Sequence, residues 1–226
     1  MKIRLERDAL ADAVQWAARS LPNRPSIPIL AGLRVEAKGD MVVLSSFDYE
    51  TSAKITVPAT VSEEGVALVS GRLLADIARS LPAKPVDLAA DASKVELTCG
   101  SARFTLQMLP VTEYPELPSM PEASGTIASD AFAQAVSQVV IAAGRDELLP
   151  VFTGVRLEIE GETLSLLATD RYRMALKEIT WQPGSPRSEG AALVPGRVLN
   201  ETAKSMTSGE SVTLSLSAGD TGDGLI

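Results

Sequence analysis

The feature that most constrains the fold of this chain is an internal repeat. Residues 28–40 read PILAGLRVEAKGD, and residues 150–162 read PVFTGVRLEIEGE, 122 positions later. The two lines share a proline, two glycines, an arginine and a glutamate at matching places, without a gap. Self-similarity of this kind predicts two copies of one structural unit.

The repeat continues on both sides of these lines. Upstream, DALADAV at 8–14 matches DAFAQAV at 130–136 at the same offset. Downstream, ALVSGRLLADIARSL at 67–81 matches ALVPGRVLNETAKSM at 192–206 at an offset of 125. The extra residues of the second copy are expected in the stretch 180–190, whose proline, glycine and serine content is typical of a loop.

Each copy predicts the same order of secondary structure. The first helix of each has apolar residues at i, i+4, i+7, i+8 and i+11, which form one stripe. GLRVEA and GVRLEI alternate as strands do, and KGD and EGE predict hairpin turns after them. A second helix begins after Gly71 and Gly196. We therefore expect an α+β fold of repeated domains, each an antiparallel sheet with two helices on one face.

A proline-rich stretch, PVTEYPELPSMPEASG at 110–125, predicts the domain boundary. The first domain is expected at 1–120 and the second at 121–226. The second is expected to be incomplete at its C-terminal end. Its last residues, 224–226, take the place of a strand inside the first copy, and nothing after them corresponds to 101–110.

The composition excludes several kinds of chemistry. The chain has no histidine and a single cysteine, Cys99, so histidine-based triads, histidine zinc sites and internal disulfides cannot form. No phosphate-binding glycine motif is present. The expectation is therefore no catalytic residue, no metal and no cofactor. Two alternatives stay open, a carboxylate-dependent enzyme that uses Asp48 or Asp170 beside an arginine, and a scaffold built from the same repeated unit.

The same residues indicate a cellular compartment. A single cysteine fits a reducing environment. The N-terminal residues MKIRLERDAL are charged where a signal peptide is apolar, and no apolar run approaches the roughly 18 residues of a membrane span. We expect a cytoplasmic protein with no membrane partner.

The second helices carry a repeated pair of cations. Arg72 and Arg79 lie seven residues apart and share a helical face, and Arg197 and Lys204 repeat the pair. A solvated polar face explains one such helix. Recurrence in a chain of net charge −8 indicates a shared anionic partner. Nucleic acid fits, because sparse cations contact phosphates without reading the sequence.

Several longer stretches resemble one known family. They read RPSIPILAGLRVEA, SFDYETSAKITVPA, GRLLADIARSLP, FTLQMLPVTEYPELP and LPVFTGVRLEI, with ATDRYRMA further on. They resemble the bacterial DNA polymerase III beta subunit, the sliding clamp family, over essentially the whole chain. The resemblance implies three similar domains per chain, of which the third is absent here. It also implies a homodimeric ring of full-length chains that encircles duplex DNA, with helices inside and sheets outside. Such a protein is a processivity factor for DNA replication, an accessory subunit of the polymerase holoenzyme rather than an enzyme.

The resemblance also implies three groups of site residues. The DNA-binding group is Arg24, Arg72, Arg79, Arg145, Arg197 and Lys204. The cleft for short apolar peptides of polymerase and clamp-loader subunits is Phe152, Thr169, Arg171, Tyr172, Arg173 and Met174. The dimer interface is Leu73, Ile77, Phe104 and Leu106. The alternative is that Phe152, Met174, Phe104 and Leu106 are core residues and that the residues after Asp170 form an ordinary turn.

Overall fold

A computed structural model describes most of the chain. The described residues are 1–22, 25–120, 123–146, 148–185, 188–207 and 209–215. The chain divides into two compact units, Met1–Pro118 and Ser119–Ile226. Arg24, one of the predicted DNA-binding residues, lies outside the described part, as do residues 216–226.

Unit 1 contains nine strands and two α-helices among its described residues. In chain order they are β1 (Lys2–Leu5), α1 (Arg7–Ala17), β2 (Gly32–Lys38), β3 (Met41–Phe47), β4 (Ser52–Pro58), β5 (Thr60–Glu63), β6 (Gly65–Ser70), α2 (Gly71–Ser80), β7 (Val86–Ala90), β8 (Lys94–Cys99) and β9 (Ala102–Gln107). The strands form two antiparallel sheets, in the orders β5-β1-β7-β8-β9 and β4-β3-β2-β6.

Unit 2 repeats this arrangement. In chain order its described elements are β10 (Gly125–Ala128), α3 (Ser129–Val139), α4 (Pro150–Thr153), β11 (Gly154–Glu160), β12 (Thr163–Thr169), β13 (Met174–Thr180), β14 (Gln182–Pro183), β15 (Glu189–Pro195), α5 (Gly196–Ser205) and β16 (Ser211–Leu214). The described strands form sheets in the orders β14-β10-β16 and β13-β12-β11-β15.

The predicted α+β class with repeated antiparallel sheets and helices is confirmed, but each unit has two sheets rather than one. The second sheet arises because β1, a four-residue strand that the sequence did not predict, pairs with both β5 and β7. At Ala59 the chain passes from β4 in one sheet to β5 in the other. The short strands β10 and β14 repeat this pairing in unit 2.

Each unit encloses a core of its own. In unit 1 the apolar stripes of both helices meet the inner faces of both sheets, and Leu10 of α1 and Leu74 of α2 are almost completely buried there. Phe132 of α3 and Leu199 of α5 hold the matching places in unit 2. Because each stripe faces a sheet on the inside, the opposite face of each helix is left to solvent.

The same close contact between a glycine and a leucine occurs in each unit. A Cβ atom on Gly32 would lie 2.7 Å from the Leu68 side chain, and one on Gly154 would lie 2.7 Å from that of Leu193. Each glycine begins the strand beside that of its leucine, so a larger residue there would require the leucine side chain to move. The repeat thus conserves a packing contact within the chain, in addition to the order of elements.

We expect Leu10→Ala to lower the free energy of unfolding of unit 1 by about 2–5 kcal/mol, because it removes a buried side chain and leaves a cavity. Leu73→Ala is the matched control, since Leu73 lies on the exposed side of α2 and should cost less than about 0.5 kcal/mol. Urea denaturation followed by circular dichroism measures both. Equal losses in the two variants would contradict this description of the core.

Candidate functional site

The exposed face of α2 carries both of its predicted cations. Arg72 and Arg79 are exposed, and Asp76 lies between them on the same face. The Arg72 guanidinium donates a hydrogen bond to the carbonyl of Pro22 at 3.0 Å. Arg79 Nη1 lies 3.9 Å from Asp76 Oδ1. The face therefore presents a cation, an anion and a cation in sequence along the helix.

The same order of charges recurs on α5. Arg197, Glu201 and Lys204 are exposed at the matching positions. The central carboxylates, Asp76 and Glu201, were not predicted from the sequence, although each lies four residues after the first cation of its helix. Arg145, the remaining predicted DNA contact in the described part, is exposed after the turn that follows α3.

The turn between β12 and β13 is built around Asp170. Its Oδ1 accepts hydrogen bonds from the backbone N–H groups of Tyr172 and Arg173 at 3.1 and 3.0 Å. Arg173 Nε donates to Asp170 Oδ2 at 3.0 Å, and the Thr169 hydroxyl donates to the Arg173 carbonyl at 2.8 Å. These bonds hold Arg171 at a φ of 79°, a conformation that costs a non-glycine residue free energy.

The turn presents apolar surface to solvent. Tyr172 is 90% exposed and Met174 is 67% exposed, so Met174 is not a core residue. The Arg171 guanidinium lies 5.8 Å from the Phe152 ring and 5.9 Å from the Tyr172 ring, distances at which a cation and an aromatic face attract. Leu176, two positions beyond Met174 on β13, is also exposed and was missed, although strand alternation places it on the same face.

All six predicted cleft residues therefore lie in or beside one turn. Thr169 and Met174 are register partners at the ends of β12 and β13, with Asp170 to Arg173 between them. Phe152, which is half-buried, joins the group through the guanidinium of Arg171. The arrangement places two exposed apolar side chains, Met174 and Leu176, on the strand that leaves a polar, hydrogen-bonded turn.

Two of the four predicted interface residues are buried in the core of unit 1. Leu106 is 1% exposed because β9 turns it inward opposite Val95, and Ile77 is buried on the inner side of α2. Phe104 is half-buried, and Leu73 is exposed. The core alternative is thus right for Leu106 and in part for Phe104, which packs against the core, and Ile77 is a core residue as well. Leu73 and the backbone edge of β9 are left at the surface.

Asp48 and Asp170, the carboxylates of the enzyme alternative, each stabilise a turn. Asp48 Oδ1 accepts hydrogen bonds from the N–H groups of Glu50 and Thr51, as Asp170 does in its own turn. Within the described ranges, no three carboxylates or cysteines are grouped so as to hold a metal ion. No helix in that part of the chain has the length and apolar character needed to cross a membrane.

Hydrogen bonds lower the pKa of Asp170 below its ordinary value of 3.8, and the largest contribution comes from the Arg173 N–H. The Tyr172 N–H and the Arg173 guanidinium lower it further. Since the pKa is lower in the folded than in the unfolded chain, the ionised carboxylate stabilises the turn at neutral pH, and this contribution is lost as the pH falls through the folded pKa. The amide shifts of Tyr172 and Arg173 should titrate with a midpoint below 3.8. Asp170→Asn should abolish the titration, and a midpoint at or above 3.8 in the parent would contradict the geometry.

Two family models match most of the chain. The N-terminal domain of the DNA polymerase III beta subunit matches residues 1–118, and the central domain of the same subunit matches residues 126–223. The order of the matches is the order of the two units along the chain.

Curated relatives and solved structures agree with these matches. The chain is 58% identical to the beta sliding clamp of Streptomyces coelicolor over 100% of its own length, and 50% identical to that of Micrococcus luteus over 99%. It spans 60% and 71% of those relatives.

Two solved clamps have the same fold. The DNA polymerase sliding clamp of Bacillus subtilis superposes with a TM-score of 0.89 at 27% identity, over 96% of this chain and 60% of that one. A Pseudomonas aeruginosa sliding clamp bound to griselimycin gives a TM-score of 0.88 at 26% identity, with the same coverage. The chain therefore belongs to the DNA polymerase III beta subunit family, and its two units are the N-terminal and central domains of that family.

Proposed function

We propose that this chain forms two segments of a DNA sliding clamp, a non-catalytic accessory protein that holds a DNA polymerase on duplex DNA. The domains are placed at 1–120 and 121–226. The repeated pattern of exposed charges on α2 and α5 is the observation that carries the proposal, since it gives each segment the same weakly cationic helical face. Membership of the family supports it.

The DNA face is assigned to Arg24, Arg72, Arg79, Arg145, Arg197 and Lys204. The described members are exposed, and those on α2 and α5 lie on the helical faces that point away from the cores. Long cationic side chains on such a face contact phosphates, which carry no sequence information, and binding of this kind lets a protein slide along DNA. The duplex is bound by charge and shape, with no sequence reading.

The partner cleft is assigned to the β12–β13 turn and Phe152. An apolar peptide from a polymerase or clamp-loader subunit lies across Phe152, Tyr172 and Met174, while Thr169, Arg171 and Arg173 supply polar contacts. The exposed apolar side chains of a rigid, hydrogen-bonded turn support this assignment. Griselimycin, which is bound to the Pseudomonas aeruginosa clamp, is the probe that we choose for it.

The ring interface is assigned to Leu73, Phe104 and the edge of β9. An edge strand offers unpaired backbone groups, so a second clamp chain can extend the sheet there. In this proposal Ile77 and Leu106 support the interface from inside the core. The cytoplasm is the proposed compartment, because the single, buried thiol Cys99 requires no oxidising environment.

Retention on DNA tests the proposed function. A protein that carries these two units together with a third clamp domain should stay on nicked circular DNA during gel filtration in high salt. It should leave as soon as the circle is linearised, because a closed ring is held by topology. Equal release from circular and linear DNA would favour the scaffold alternative instead.

A further inference from the structure

The proposed cleft of unit 2 has a counterpart in unit 1. At the repeat offset, Phe152 corresponds to Leu30, Thr169 to Phe47, and Gly154 to Gly32. Both aspartate-centred turns also place a non-glycine residue at positive φ, Tyr49 at 73° and Arg171 at 79°. The backbone that supports the cleft is therefore present in both units.

The counterpart in unit 1 is covered by the segment Leu109–Tyr114. The hydroxyl of Tyr114 accepts a hydrogen bond from the Phe47 N–H at 2.8 Å and donates one to the Gly32 carbonyl at 3.3 Å. The Leu109 N–H donates to the Leu68 carbonyl at 2.7 Å. The segment thus bonds to the ends of β2 and β3 and to the neighbouring strand β6.

Burial in unit 1 agrees with this cover. Leu68 is 0% exposed, and Leu30 is 2% exposed. Tyr114 is itself buried, and burial raises the pKa of its hydroxyl. A buried tyrosine usually has a hydrogen-bond partner for its hydroxyl, and tyrosine is enriched at interfaces.

The covering segment is suited to act as a ligand. It runs between Pro110 and Pro115, and its residues Val111–Glu113 form a 3-10 turn that the Tyr114 N–H closes on the carbonyl of Val111. A segment held in its bound conformation loses less conformational entropy when it docks. Attachment to the same chain adds an effective concentration of about 1 mM or more.

We infer that unit 1 contains a second peptide-binding surface of the same kind as the unit 2 cleft, and that Leu109–Tyr114 is its resident occupant. The inference rests on the proposed peptide cleft. Its consequence is that partner peptides do not reach this surface of unit 1, because it is filled by the chain itself. Removal of the Tyr114 ring should open that surface to a short apolar peptide with a tyrosine anchor.

The test supplies the segment as a separate molecule. The probe is a synthetic peptide of residues 108–118, MLPVTEYPELP, and the matched control is the same peptide with alanine for tyrosine. The host is Tyr114→Ala combined with Met174→Asp, which removes the unit 2 cleft from the measurement. By calorimetry the host should bind the probe at one site, about tenfold or more tighter than it binds the alanine peptide.

The Met174→Asp variant that keeps Tyr114 should bind the probe about tenfold or more weakly than the host, because its own segment competes. A folded host that binds the probe no better than this variant overturns the inference. If Tyr114→Ala does not fold, Tyr114→Phe keeps the ring and removes only the hydroxyl. The Phe47 amide should then exchange with solvent faster than in the parent, and unchanged exchange would also overturn the inference.

The proposed cleft and the resident segment can fail separately. Griselimycin binding to the parent chain tests the cleft of unit 2 and does not depend on Tyr114. Binding of the 108–118 peptide in the Met174→Asp background tests unit 1 and does not depend on the cleft.

Discussion

Met174→Asp is expected to weaken griselimycin binding to this chain by about tenfold to a hundredfold. Met174 is 67% exposed at the start of β13, and the proposed cleft uses it as an apolar surface. Burying one large apolar side chain contributes about 1.5–3 kcal/mol, and each 1.4 kcal/mol is about tenfold in affinity. A carboxylate there would also lose its hydration when the ligand docks. Calorimetric titration of the folded variant and the parent measures the change.

Met120→Asp is the matched control for this substitution. Met120 is 70% exposed and lies outside the proposed cleft, so the same chemical change should leave griselimycin binding unaltered. If folded Met174→Asp binds as tightly as the parent, the cleft is not at the β12–β13 turn. If both variants lose affinity equally, the loss reflects the added negative charge rather than the site.

Replacing Arg72, Arg79, Arg197 and Lys204 with alanine is expected to remove most of the salt-dependent binding of this chain to duplex DNA. Each phosphate contact contributes about −0.9 to the slope of log K against log salt. The four contacts on α2 and α5 together account for a loss of about 100-fold in affinity between about 50 and 200 mM salt. The quadruple variant keeps Arg24 and Arg145, so in fluorescence anisotropy it should bind weakly and its slope should be smaller than that of the parent by about 3.6.

A second quadruple variant separates site from net charge. Lys2, Arg4, Lys38 and Lys54 are exposed cations of unit 1 outside the two helices, and their replacement by alanine removes the same total charge. This control should keep a steep salt slope and most of the affinity. Unchanged binding in the helix variant, or equal loss in the two variants, would move the DNA face away from α2 and α5.

Elements with a strong local pattern could be predicted from the sequence. The apolar stripe of α1 and the alternation of β2 follow from which residues face a core. The same patterns recur in α3 and β11, so each element was predicted independently from two copies. The sheet count could not be predicted in the same way. Strand β1 has only four residues, and its partners β5 and β7 lie far along the chain, so its pairing has no local signal.

The candidate site shows the same division. The cations of α2 and α5 could be found from their spacing, because a helical period fixes which residues share a face. The positive φ of Arg171 could not, since arginine has no preference for that conformation and the Asp170 hydrogen bonds impose it. Leu106 alternates correctly as a strand residue, but only the tertiary fold decides which of the two faces is the core.

The alternating charges on α2 and α5 have a consequence for movement. A phosphate that travels along either helix passes a cation, a carboxylate and a cation, so attraction and repulsion follow each other within about 10 Å. In water each such encounter is worth about 1 kcal/mol at 4 Å, less than twice the thermal energy. The interaction energy of the phosphate therefore varies little along the helix, and it opposes movement along DNA only weakly. In the proposed clamp, this surface would hold DNA only weakly, and retention on DNA would depend on the closed ring.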